Sequence, residues 1–174
     1  MLDRLLRVAA SRWFRLVLVL LVLLSVQTTL FSELRPFGFA IQLLAVFVAC
    51  IGSTHDLQTG AVVGLVAGFM YDAVLATPLG VSALVLGGVG ALAALLLQPF
   101  RDPTASLRIL VVGVVAGFGE VLMPVMKSVV GLSGWLDSRI IGAAFVTFAG
   151  ALVMAGPLIP VSRWTMQERI GRGN

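Results

Sequence analysis

The stretch at residues 60–80, GAVVGLVAGFMYDAVLATPLG, constrains this chain more than any other. Gly60, Gly64 and Gly68 recur every four residues, Asp72 takes the next step and Ala76 the one after, so one helix face is bare backbone ending in a carboxyl group. Val, Leu, Phe and Met dominate the other faces. In water each interior Gly would weaken such a helix by about 1 kcal/mol relative to Ala. Among lipid tails the same spacing lets a second helix approach closely, and van der Waals contact drives the association. An ionisable group in an apolar span costs roughly 2.5–3.5 kcal/mol on insertion scales, so Asp72 has to face protein or a wet cavity.

The rest of the composition agrees. Only 11% of the 174 residues are charged and 59% are hydrophobic, where soluble domains carry about 25% charged residues. A soluble domain could not hide that much apolar surface. The class is therefore an all-α integral membrane protein with a single membrane domain. The net charge of +4 does not point to nucleic acid, because the basic residues are spread over separate short loops as topology signals. Cys50, the single cysteine, excludes a disulfide framework and reads as a small buried hydrophobe. His55, the single histidine, excludes metal sites that need two imidazoles and reads as a loop and cap residue between Thr54 and Asp56. No metal or cofactor is expected.

Polar loops and breakers cut the chain into six spans at about 16–31, 37–51, 60–76, 79–98, 107–130 and 140–161. Thr77-Pro78-Leu79-Gly80 is the turn between the third and fourth. The charges test the count. With six spans, Arg4, Arg7, Arg12, Arg15, Arg101, Arg108, Arg163, Arg169 and Arg172 share one side, against Arg35, Lys127 and Arg139 on the other. The positive-inside rule then puts the basic segment 1–15, the tail 162–174 and both termini in the cytoplasm. Five spans would separate two basic termini. Segment 1–15 is either an amphipathic helix on the inner leaflet or a charged anchor of the first span. A cleaved signal peptide is disfavoured, since no A-x-A pattern follows 16–24. Trp13, Trp164 and Trp135 fall at span boundaries, where interfacial aromatics belong.

Two carboxyl groups fall inside spans. Asp72 is about 12 residues, or roughly 18 Å, from the start of the third span, and Glu120 is about 13 residues into the fifth, which runs the same way. Either they share a cavity, as a proton or cation site would need, or each accepts hydrogen bonds from neighbouring helices or pairs with an outer-face base. We favour the second. Lys127 lies seven residues past Glu120 on one helix face, Arg139 opens the sixth span, and Pro124 leaves the Glu120 carbonyl without its helical donor. Gln27, Thr28 and Thr29, and also Gln42, are candidate interhelical hydrogen-bonders. Small residues repeat at four-residue spacing again at Gly113 and Gly117 and at Ala143, Thr147, Ala151 and Ala155. These ladders indicate packing within the bundle or docking of a foreign helix. There is no Ser/His/Asp set, no HExxH and no phosphate-binding GKS or GKT, so no enzyme is expected.

The short basic N-terminus, the first span closing on Gln27-Thr28-Thr29, the segment Gly60-xxx-Gly64-xxx-Gly68-Phe69-xx-Asp72 and the following Pro78-Leu79-Gly80-Val81-Ser82-Ala83-Leu84 together resemble the rod shape-determining protein MreD family. The likeness covers residues 15–100 best, and Gly64, Gly68 and Asp72 match its motif. It implies a non-enzymatic component of the peptidoglycan elongation machinery in the bacterial inner membrane, working with the single-span partner MreC. Through MreC it would reach MreB, RodA and a class B penicillin-binding protein. It also implies a fold similar to the substrate-binding subunits of energy-coupling-factor vitamin transporters. Two functions follow as expectations. One is a scaffold whose glycine groove, built from Gly60, Gly64, Gly68, Asp72 and Gly80, packs its own helices and offers a face to a partner helix. The other is a vitamin-type substrate-binding subunit of a transporter, which needs a polar pocket open to the outside.

Overall fold

Apolar runs without strand alternation form six helices in the computed structural model, which describes residues 11–33, 41–75, 80–131 and 139–167. They are α1 (Arg12–Glu33), α2 (Leu43–Thr54), α3 (Leu57–Leu75), α4 (Val81–Leu97), α5 (Ala105–Val129) and α6 (Arg139–Met166), and no strand occurs among the described residues. Four of them, α1, α3, α5 and α6, are long and apolar enough to cross a membrane. The other two are shorter, with 12 residues in α2 and 17 in α4.

The shortest helix is the centre of the bundle. Every residue of α2 from Leu43 to Ser53 is buried, and the other five helices all pack against it. A helix apolar on all faces is stable only when enclosed. At 1.5 Å per residue α2 covers about 18 Å, short of the roughly 30 Å of a hydrocarbon core. It lies inside the protein, with α4 beside it. Leu16, Leu20 and Leu24 of α1, Phe47 of α2, Val63 of α3, Leu86 and Val89 of α4, and Val112 of α5 make the core around it.

Several helix boundaries differ from those read in the sequence. The first span begins at Arg12 and not near 16, so residues 12–15, expected in the basic segment before it, are helical. The second span begins at Leu43 and not near 37, with Ile41 and Gln42 buried but not helical, and it runs on to Thr54. The third begins at Leu57, because Asp56 accepts bonds from the Thr59 N–H (3.2 Å) and hydroxyl (2.6 Å) and caps the helix there. The last does not end at 161: residues 162–166, expected in the tail, are helical and carry α6 past Pro157 and Pro160. Its final turn is held by Arg15 of α1, whose guanidinium donates to the Trp164 (3.2 Å) and Gln167 carbonyls and stands 5.4 Å from the Trp164 ring centroid. A cation at helix-terminal carbonyls satisfies acceptors that have no helical donor. The start of α1 and the end of α6 therefore share one end of the bundle. Residues 1–10, 34–40, 76–79, 132–138 and 168–174 lie outside the described residues, and with them Arg4, Arg7, Arg35, Trp135, Arg169, Arg172 and most of the expected turn Thr77-Pro78-Leu79-Gly80.

Candidate functional site

The glycine ladder of α3 is packed against α4 of the same chain. A Cβ placed on Gly60 would fall 2.6 Å from the Gly90 carbonyl oxygen and 3.1 Å from the Gly52 Cα, so α2, α3 and α4 cross there backbone to backbone. A Cβ on Gly64 would lie 2.7 Å from the Gly87 Cα, and one on Gly68 would lie 2.5 Å from the Ser82 carbonyl oxygen. No side chain fits in that space. The groove read from the sequence as a possible partner face is thus filled internally. The other small-residue ladders are used the same way: Gly113 and Gly117 meet Phe148 and Ala144 of α6, and Thr147, Ala151 and Ala155 are buried.

Asp72 closes the same seam. It is 1% exposed and its carboxylate accepts the Gly80 N–H at 2.8 Å and the Ser82 N–H at 3.2 Å. Those are backbone donors at the start of α4, which have no helical acceptor of their own. Gly80 is the residue before α4 and has φ of 109°, a conformation open to glycine. Asp72 therefore acts as the N-cap of a helix other than its own, its carboxyl oxygens accepting the N–H groups at the start of α4. Gln27 does the equivalent for the other short helix: its Oε1 accepts the Leu44 N–H at 2.9 Å at the start of α2. In a bilayer these caps replace the water that would otherwise solvate the helix ends.

Glu120 has a different setting. One of its oxygens accepts the Thr147 hydroxyl of α6 at 3.3 Å, and the side chain lines a cavity of about 340 Å³ with Gln27, Gln42, Tyr71, Met123 and Lys127. Asp72 does not line it. Met123 stands between the two carboxyl groups, accepting the Ser82 hydroxyl at 3.6 Å on one side and facing the cavity on the other. Lys127 lies on the cavity wall with Glu120, but no ion pair joins them among the described residues. Arg139 opens α6, and its side chain lies outside the described residues.

Two cavity residues carried little weight in the sequence reading. Tyr71, the single tyrosine, is next to Asp72 and lines the cavity. Gln42 was noted only as a candidate hydrogen-bonder, yet it is 5% exposed and its Oε1 has no partner. The signal was there: an amide and a phenol are both out of character in apolar runs.

At the opposite end, around the start of α1 and the end of α6, a second cavity of about 530 Å³ is lined by His55, Asp56, Gln58, Arg101 and Arg108 among others. Arg108 ties α5 to α2 through the Ser53 carbonyl. His55 follows α2 as its C-cap, and burial lowers its imidazole from the ordinary value. The Asp56 carboxyl is lowered by the Thr59 hydroxyl and N–H. Among the described residues no group of three or more His, Cys, Asp or Glu side chains could hold a metal.

No curated protein matches the chain, and no solved structure matches it, those of energy-coupling-factor transporter subunits included. A family model does. The model described as rod shape-determining protein MreD matches residues 7–164, from before α1 to within the last turn of α6, and this multi-pass helical chain belongs to that family.

Proposed function

We propose that the chain is a non-enzymatic scaffold of the wall-elongation machinery that maintains rod shape, docking an MreC-like single-span partner through a lipid-facing helix surface. MreB, RodA and a class B penicillin-binding protein would be reached through that partner. The observation that carries this reading is the family match over the whole bundle. Because the glycine seam is occupied internally, docking uses an outer face. On α6, Ile141, Phe145 and Val153 project at four- and eight-residue intervals, each 69–77% exposed, and Gly156 has nothing within 4 Å of an added Cβ. Large apolar side chains beside an open glycine suit a packed helix in lipid.

The positive-inside rule supports cytoplasmic termini. Arg12, Arg15, Arg101, Arg108 and Arg163 gather around one end of the bundle, while Lys127 is at the other. The test is photocrosslinking in native membranes from positions 145 and 153 on α6, with 18 and 22 on α1 and 114 and 118 on α5 as comparison faces. A partner adduct from one contiguous face is expected. Adducts from no face, with rod shape unaffected by depletion of the protein, would overturn the scaffold reading.

A further inference from the structure

The larger cavity, about 530 Å³, lies where the α2–α3 turn meets the α4–α5 loop, and its size is within the range of small-ligand pockets. Arg101 and Arg108 bring two guanidinium groups to its wall. Arg108 is fixed in place by neutral acceptors: its Nη1 donates to the Ser53 carbonyl and its Nε to the Pro103 carbonyl at 3.4 Å. Carbonyl oxygens position a guanidinium without cancelling its charge. The remaining Nη2 has no acceptor among the described residues and is not closed off from the surroundings. Arg101 is exposed and forms no ion pair among those residues. The one carboxylate on the wall, Asp56, has both oxygens engaged by Thr59. Beyond the wall, Arg163 and Arg12 are close enough for their charges to act on His55, and Arg163 and Asp102 act on Arg108. This end of the bundle therefore sets four guanidinium groups against two carboxylates. The cavity also has an apolar flank. Leu57 and Phe100 line it and are exposed, and Leu95 and Leu96 in the last turn of α4 are exposed beside it.

We propose that this cavity seats the headgroup phosphate of a net-anionic phospholipid. Arg101 and the open Nη2 of Arg108 donate to the phosphate oxygens, and Leu57 and Phe100 flank the start of the acyl chains. Guanidinium groups suit phosphate because their N–H fork matches its oxygens, and basic pockets between spanning helices are where anionic headgroups lodge. A zwitterionic lipid fits less well, because it carries its own cation into a wall that is already net positive. A soluble phosphoester would meet the same two arginines but leave the apolar flank uncovered. The inference goes beyond the scaffold reading and does not rest on it.

The test uses the full-length protein in nanodiscs made from equal parts of phosphatidylcholine, phosphatidylethanolamine and phosphatidylglycerol, with retained lipid read by native mass spectrometry. Thermal melting is recorded in phosphatidylcholine discs with and without phosphatidylglycerol, and with sn-glycerol 3-phosphate in solution. Phosphatidylglycerol is expected to be retained at least about tenfold over either zwitterionic lipid and to raise the melting temperature. Arg101→Gln should lower that retention about tenfold while melting unchanged in pure phosphatidylcholine. Arg108→Gln should lower it too, but it also unties α5 from α2, so Arg101→Gln is the decisive variant. Arg163→Gln removes an exposed charge at the same end but outside the cavity wall, and should cost clearly less retention than Arg101→Gln. Equal retention of the three lipids overturns the proposal, as does undiminished selectivity in folded Arg101→Gln. Equal losses in Arg101→Gln and Arg163→Gln would mean diffuse surface attraction and no site. Stabilisation by sn-glycerol 3-phosphate without retained phosphatidylglycerol would also overturn it, by making the ligand a solute.

Discussion

Asp72 and Glu120 are both carboxyl groups inside apolar helices, on either side of Met123, and their surroundings differ in kind. Asp72 is saturated by backbone N–H groups at the start of α4 and sits in a seam with no room for a side chain. Glu120 has one hydrogen bond and a cavity. An intramembrane carboxylate consumed by a helix end is part of the folding machinery. One left with spare acceptor capacity beside open volume is available for chemistry that the fold does not need.

The largest effect should come from the seam. Gly68→Leu sets a side chain against the Ser82 and Ala83 backbone and should cost about 3 kcal/mol or more. Loss of the monodisperse peak in detergent chromatography is the readout, and a stable, monodisperse variant would mean that the seam is looser than its geometry. Asp72→Ala comes next. It leaves the Gly80 and Ser82 N–H groups unpaired, at roughly 2–3 kcal/mol, and Asp72→Asn, which keeps an acceptor, should recover part of the loss in melting temperature. Gln27→Leu removes the single cap bond on Leu44 and should cost about 1 kcal/mol.

Glu120→Gln sharpens the contrast most directly: the fold should lose no more than about 0.5–1 kcal/mol. A loss equal to that of Asp72→Ala would end the distinction between the two carboxyl groups. The smallest effect is outside the bilayer. The Asp56 carboxyl is lowered from its ordinary 3.8 by Thr59, so its stabilising contribution is present above that pH and is lost as the pH falls through the folded value. Asp56→Ala should flatten that acid limb of the melting profile and leave neutral pH little changed.

The six helices among the described residues and the tight face of α3 were legible in the sequence because apolar length and four-residue glycine spacing are local properties. What fills that face was not, since α4, a partner or lipid would all suit the same pattern. The enclosure of α2 was hidden for a related reason. In a membrane both the lipid-facing and the core-facing sides of a helix are apolar, so the periodicity that marks a buried face in water is missing. The true start of α2 depends on Gln27, sixteen residues before Leu43, and the start of α4 depends on Asp72. Neither cap is in sequence contact with the helix it completes. The membership of the cavity beside Glu120 is not legible in the sequence because its polar residues come from four different segments, one or two from each.

The enclosure of α2 also decides which parts of the molecule respond to the host membrane. Hydrophobic mismatch acts on helices that touch acyl chains, which adjust by tilting. Leu43 to Ser53 touch none, and Gln42 and the Gln27 cap are at the start of that insulated helix. Thicker or thinner bilayers should therefore tilt the outer helices while the central post, with the polar residues at its head, keeps its own geometry.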